Sequence, residues 1–111
     1  STNWYSQGSL SPEAFRPRDD EETGISVFRK KYKSIEEAAR GKGPKGYYVV
    51  VFQAKILREN EIQVVPRPKR EENDLGHAEI PDLNCHTRET NEAKKMMRVL
   101  SRIYIEIKGP F

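Results

Sequence analysis

The sequence predicts an α+β fold, a small and mainly antiparallel sheet with two helices on one face. Two separated stretches repeat their apolar residues at helical spacing, and several short stretches alternate apolar and polar residues as strands do. The strands come in a run between the helices rather than in strict alternation with them, which is typical of α+β folds. The chain has 111 residues, enough for one core, so we expect residues 1–111 to form a single domain.

Residues 1–24 predict a loop-rich N-terminal arm, because they are rich in Ser, Pro, Gly and Asp. Pro12 and Pro17 each remove a backbone donor and fix φ, so at most a short turn of helix is expected here. The apolar side chains expected to anchor the arm in the core are Trp4, Leu10 and Phe15.

The first strand and the first helix follow the arm. Residues 24–29, GISVFR, alternate and predict a strand. Residues 33–41, KSIEEAARG, predict a short helix, because Ser34 and Glu37 have the spacing of a capping box and Gly41 is suited to the C-terminal end.

The middle of the chain predicts a hairpin and a further short strand. Residues 47–57, YYVVVFQAKIL, have the clearest strand pattern, and residues 62–65 are expected to return beside them after a turn. Pro66 and Pro68 stop the second strand, and a polar loop follows. HAEI, residues 77–80, predicts another short strand.

The last part of the chain predicts a helix and a final strand. From about Thr87 the apolar residues recur every 3.6 positions, with acidic residues early and basic residues late, as the helix dipole favours. Alternation near Arg102 then predicts the final strand. The apolar stripe of the helix contains Ala93, Met96, Met97, Leu100 and Ile103, and its basic side contains Lys94, Lys95, Arg98 and Arg102.

Composition restricts the cellular context more than the chemistry. The net charge of +3 comes from 20 Lys and Arg against 17 Asp and Glu, a bias too small to identify a nucleic-acid-binding protein by itself. Cys85 is the single cysteine, so no disulfide can form within the chain. No long apolar run and no signal-peptide pattern is present, so we expect a cytoplasmic protein without a membrane partner.

His77 and Glu79 form the candidate catalytic pair. Residues two apart on a strand point to the same face, and a carboxylate beside a histidine raises its proton affinity and orients its ring. The same spacing is typical of the polar outer face of a half-buried strand, with Ala78 and Ile80 turned toward the core. The sequence leaves both interpretations open.

Basic residues cluster at 29–33, at 67–70 and on the outer side of the last helix. Lys and Arg neutralise phosphates and the tyrosines near the first cluster can stack on bases, which favours a nucleic acid or a nucleotide as partner. Acidic residues lie nearby in sequence, and a solvated charged surface has the same pattern. The candidate binding residues of the second cluster are Arg67, Lys69 and Arg70.

No metal and no cofactor is expected. One cysteine and two histidines do not supply the paired ligand spacings of a zinc site. GKGPKG, residues 41–46, lacks the G-x-x-x-x-G-K-[ST] pattern of a phosphate-binding loop.

Three short segments resemble those of a group of small uncharacterised bacterial proteins. The segments are Ser-x-x-Ala-Phe-x-Pro at 11–17, Gly-Ile-Ser-Val at 24–27 and His-Ala-x-Ile at 77–80. The resemblance implies no activity. It directs attention to one candidate site, composed of Arg16, Ser26, His77 and Glu79.

The leading hypothesis is a small binding module for an anionic partner such as a nucleic acid or a nucleotide. One alternative is an enzyme that acts on phosphate esters or nucleotides, with His77 as acid or base and Glu79 as its orienting group. In that enzyme Arg16 or Ser26 would contact the substrate. A further alternative is a protein-interaction module excised from a larger protein.

Overall fold

A computed structural model describes residues 4–6, 8–30, 34, 48–69 and 75–109. Over these residues the chain has helices and antiparallel strand pairs, which confirms the predicted α+β class. The helices are a 3-10 helix (Pro12–Phe15), α1 (Ala54–Glu59) and α2 (Asn91–Ile103). The strands are β1 (Tyr5–Ser6), β2 (Ser9–Leu10), β3 (Ile25–Phe28), β4 (Val49–Val51), β5 (Val65–Pro66), β6 (His77–Ile80) and β7 (Glu106–Lys108).

The central sheet has the order β3-β6-β5, with β6 antiparallel to both neighbours. Ser26 and Val65 both lie opposite Glu79, so these three residues share one face. Ala78 and Ile80 are buried in the core. The strands predicted at 24–29 and 77–80 are confirmed, and their pairing brings polar residues far apart in sequence close together.

Gly24 allows β3 to begin close to the end of β6. Its φ is +133°, a conformation that L residues with a side chain rarely adopt. A Cβ atom at this position would lie 2.5 Å from the carbonyl oxygen of Ile80, which is backbone and cannot move aside alone. The close approach of the two strands therefore requires glycine here.

Helix α2 supplies much of the core. The side-chain oxygen of Thr90 accepts a hydrogen bond from the backbone of Ala93 at 3.1 Å and caps the helix. Ala93, Met97 and Leu100 are buried, which confirms the predicted apolar stripe, and the 3-10 helix packs against the same helix. The buried core residues are Leu10, Phe15, Ile25, Leu57, Ile62, Ile80, Leu83, Ala93, Met97 and Leu100.

The N-terminal arm is attached by two of its three predicted anchors. Leu10 and Phe15 are buried, and the Phe15 ring meets Phe52 edge to face with the centroids 5.7 Å apart. Trp4 is 41% exposed, so the prediction that it anchors the arm is wrong.

The long strand predicted over 47–57 is wrong in its second half. Among the described residues of this stretch, the strand covers Val49–Val51, and α1 begins at Ala54, where Ala, Lys, Leu, Arg and Glu are all good helix formers. The predicted hairpin with 62–65 is also wrong, because β4 pairs with β7 and β5 pairs with β6. The final strand exists, but α2 continues through Ile103 and β7 begins only at Glu106.

Two predictions fall outside the described part of the chain. The helix predicted over 33–41 lies there apart from Ser34, and so does the loop at 41–46. In the part that the structure describes, no helix is both long enough and apolar enough to span a bilayer.

Replacement of Gly24 by alanine is expected to lower the free energy of unfolding by about 2–5 kcal/mol, from backbone strain and overpacking. Gly8 is the matched control. It also has a positive φ, +77°, but nothing lies within 4 Å of the position that a Cβ atom would take there, so Gly8→Ala should cost only about 1–2 kcal/mol. Urea denaturation of both variants measures the difference. Equal losses would contradict the close approach of Gly24 to β6.

Candidate functional site

The middle strand of the central sheet holds the predicted catalytic pair. His77 is 2% exposed and Glu79 is 8% exposed, so neither lies on an open outer face. Buried polar groups lower stability unless they are hydrogen-bonded, so the partners of these two side chains define the site.

His77 bridges two flanking segments. Its Nδ1 lies 2.9 Å from the carbonyl oxygen of Arg67, and its Nε2 lies 3.1 Å from the hydroxyl oxygen of Ser26. A carbonyl only accepts, so Nδ1 carries the proton, and in the neutral ring Nε2 accepts from the Ser26 hydroxyl. The Phe28 ring on β3 meets the imidazole edge to face, with the centroids 6.0 Å apart.

Glu79 has its own partners. Its Oε1 accepts a hydrogen bond from the Thr23 hydroxyl at 2.9 Å and forms an ion pair with Nε of Arg67 at 2.5 Å. Within the described residues, no hydrogen bond joins Glu79 to His77. The predicted role of Glu79 as the group that orients the histidine ring is therefore wrong, because the Arg67 carbonyl occupies Nδ1.

Glu21 orders the loop that leads to Ser26. Its carboxylate accepts from the backbone of Arg18 at 2.9 Å and from the backbone of Ser26 at 3.1 Å. Its own carbonyl accepts from the backbone of Cys85 at 2.9 Å. These bonds connect the N-terminal arm to the start of the central sheet.

Arg16 does not join this network. It forms an ion pair with Glu89 at 2.6 Å, and it makes no hydrogen bond or ion pair with Ser26, His77 or Glu79 in the described chain. The hydrogen bond from Arg16 holds the pKa of the Glu89 carboxyl below its ordinary value. Because the pKa of Glu89 is lowered in the folded protein, the pair stabilises the fold at pH values above the pKa that Glu89 has in the unfolded chain. This stabilisation is lost as the pH falls through the pKa of Glu89 in the folded protein.

The arrangement can serve either of two roles, one catalytic and one structural. Ser26 is exposed, and its hydroxyl contacts Nε2 of His77, while the Arg67 carbonyl holds the ring through Nδ1. A hydroxyl beside an oriented imidazole is the geometry of a nucleophile beside a base. The same bonds also connect β3, β6 and the segment after β5, which is a purely structural use. Among the described residues, no three His, Cys, Asp or Glu side chains are grouped to hold a metal ion.

The basic residues divide into paired and unpaired sets. Arg67 is paired with Glu79, and Arg88 is paired with Asp19 at 2.7 Å. Lys69 is exposed and makes no ion pair in the described part of the chain, and Arg70 lies outside that part. The α2 basic face, defined as Lys95, Arg98 and Arg102, is exposed and makes no ion pair with any described residue.

A depression of about 440 Å³ adjoins the α2 basic face. It lies between residues 8–12 and the C-terminal end of α2. The side chains that bring polar or aromatic groups to it are Ser9, Arg98, Ser101, Arg102 and Tyr104. Sequence reasoning identified the basic side of this helix but not the depression, because nothing in the local pattern of residues 5–10 indicates that their turn lies beside α2.

Comparison with known proteins finds no matching family model, no matching curated protein and no matching solved structure. Any function assigned to the chain therefore depends on the geometry of the two sites.

His77→Ala is expected to lower the free energy of unfolding by about 2–4 kcal/mol, because it removes a buried ring and leaves the Arg67 carbonyl without its partner. Ser26→Ala should cost about 1–3 kcal/mol, because it leaves the buried Nε2 of His77 without its hydroxyl partner. His86 is exposed, so His86→Ala, the matched control, should change stability by less than about 0.5 kcal/mol. Thermal and urea denaturation measure all three, and equal stability of the two histidine variants would exclude the structural role of His77.

Proposed function

We propose that this chain is a binding domain for an anionic partner. The observation that carries the proposal is the α2 basic face, three exposed cations on one side of a helix without an acidic partner among the described residues. Residues 95–105 contain no Asp or Glu, and no ion pair in the described part of the chain neutralises these three cations. A cluster of uncompensated Lys and Arg attracts phosphate-bearing or otherwise anionic molecules.

The ion pairs argue for α2 over the binding residues expected from sequence. Arg67 neutralises a carboxylate that is almost buried, and Arg16 is engaged with Glu89. A ligand at either position would have to displace an intramolecular partner. Arg98 and Arg102 have no such competitor in the described chain, which supports α2 as the main contact, with Lys69 as a lesser contribution. A cytoplasmic location remains the prediction made from sequence.

Retention on immobilised heparin, a polyanion, tests the proposal. We expect the wild-type protein to bind at low salt and to elute as salt rises, because binding to a polyanion releases counterions. Arg98→Gln/Arg102→Gln should elute at clearly lower salt, because two charges that release counterions on binding are lost.

The matched control is Lys55→Gln/Arg58→Gln on α1. It removes the same charge from exposed positions, but Glu59 and Glu61 follow directly and balance that segment. Its elution should stay near that of the wild type. Equal shifts for the two double variants, or no retention of the wild type at low salt, would contradict the proposal.

A second candidate function is an enzyme that acts on phosphate esters or nucleotides. It is favoured by one observation, the 3.1 Å contact between the exposed Ser26 hydroxyl and Nε2 of His77. In this hypothesis His77 accepts or donates the proton during the reaction and Ser26 contacts the substrate. The carboxylates of Glu21 and Glu79 lie beside Ser26 and oppose an anionic substrate, although Arg18 and Arg67 offset part of their charge.

Hydrolysis of a panel of phosphate esters and nucleotides tests the enzyme hypothesis. Ser26→Ala should reduce turnover by about 10–150-fold while the fold is retained, as expected for loss of one hydrogen bond to a charged substrate. Thr23→Val, which removes a neighbouring hydroxyl that contacts Glu79 instead, should keep most of the activity. Absence of turnover in the wild-type protein, or equal activity in both variants, would sink the hypothesis.

A further inference from the structure

We propose that the depression beside α2 binds a single-stranded nucleic acid, with Arg98 and Arg102 on a phosphate and Tyr104 and Trp4 against bases. This inference rests on the proposed function, because it needs an anionic partner at α2.

The two arginines are placed to hold one phosphate together. Residues four apart on a helix lie one above the other on the same side, and both Arg98 and Arg102 line the depression. A guanidinium presents a planar set of donors that matches phosphate oxygens in pairs. Two such groups without acidic partners in the described chain form a stronger phosphate site than an isolated lysine.

Hydroxyl groups at the rim differ in what they can donate. The Ser101 hydroxyl already donates to the backbone carbonyl of Arg98 at 2.7 Å. The Ser9 side chain is exposed and makes no hydrogen bond with any described residue, so its hydroxyl is available to a phosphate oxygen. The turn residue Gly8, at φ +77°, leaves open space on this side of the depression.

The dipole of α2 does not outweigh the arginines. The C-terminal end of a helix carries a partial charge of about −0.5, which disfavours anions, and Arg102 in the last turn compensates it. Arg98 and Arg102 together contribute two positive charges. The local balance therefore remains positive after the dipole is counted.

Aromatic side chains adjoin the same depression. Tyr104 lines it directly. The carbonyl of Trp4 accepts a hydrogen bond at 2.7 Å from the backbone of Ser11, and the neighbours of Ser11, Leu10 and Pro12, are both lining residues. Trp4 is 41% exposed, and its backbone is hydrogen-bonded to the segment that lines the depression.

The combination favours single strands over duplexes. Every unpaired base has a π-face that can stack on an aromatic ring, whereas the bases of a duplex are stacked on one another. A basic groove with adjacent aromatic rings is the common plan of proteins that bind single strands without reading sequence. Simple polyanions lack bases and use only the arginines.

Fluorescence anisotropy tests the inference with a labelled oligothymidylate of about 15 nucleotides, compared with a duplex of the same length. We expect tighter binding of the single strand. Trp4→Ala should weaken binding of the oligothymidylate about 5–150-fold, as expected for loss of one stacked base, and leave heparin retention unchanged. Leu75→Ala, another exposed apolar position at 46%, is the control and should change neither.

Arg98→Gln/Arg102→Gln should weaken binding of both oligothymidylate and heparin. Arg98→Lys/Arg102→Lys should retain more of the heparin binding than of the oligothymidylate binding, because lysine keeps the charge but not the paired donors of arginine. Retention on heparin without an effect of Trp4→Ala, or tighter binding of the duplex, would overturn this inference and leave the proposed function standing. Absence of binding to both heparin and oligothymidylate would overturn both.

Discussion

The burial of two polar side chains in the middle strand of the central sheet is the constraint on which the rest of the structure depends. His77 and Glu79 are removed from water, so their polar atoms need partners within the protein. Those partners come from both sides of β6. Ser26 and Thr23 belong to the β3 side, and Arg67 on the β5 side uses its carbonyl for the histidine and its guanidinium for the carboxylate. The sheet is therefore held in register by specific hydrogen bonds as well as by apolar packing.

Internal pairing also determines where positive charge remains available. Arginines near the arm and the central sheet serve the fold: Arg67 neutralises Glu79, Arg88 bonds the carbonyl of Pro17 and the carboxylate of Asp19, and Arg16 holds Glu89. The α2 basic face makes no ion pair with any described residue. A small net charge of +3 thus hides an uneven distribution, in which one helix face carries a cluster of uncompensated charge.

The sequence predicts the elements whose local pattern and tertiary environment agree. Helix α2 has an apolar stripe and a capping threonine, and β3 and β6 have short strand patterns after a glycine, so these were predictable. The segment after β4 was not predictable. The apolar strand pattern runs on into AKILRE without a break, so local sequence does not show where β4 ends. AKILRE, which is rich in helix formers, forms α1, and β4 pairs with β7 instead of with the segment at 62–65.

The candidate site was predictable only in part for a similar reason. Pairing of β3 with β6 brings Ser26 and His77 together, and the shared face of His77 and Glu79 followed from strand geometry. The partner of each nitrogen of His77 depends on where the backbone of Arg67 passes, which no local pattern encodes. The depression beside α2 likewise depends on a two-residue strand pair, β1 and β2, too short to leave a clear signal in the sequence.

The half-exposed guanidinium of Arg67 has a consequence for competition among ligands. A carboxylate tethered to the same fold acts on it at a high effective concentration, since the two groups meet without the loss of freedom that a separate molecule would suffer. A dilute external anion therefore competes poorly with Glu79 for Arg67. An anion that displaced Glu79 would also leave a buried carboxylate without its ion-pair partner. Arg67 is thereby protected from occupation by the anions that the protein meets, and its exposure does not measure its availability.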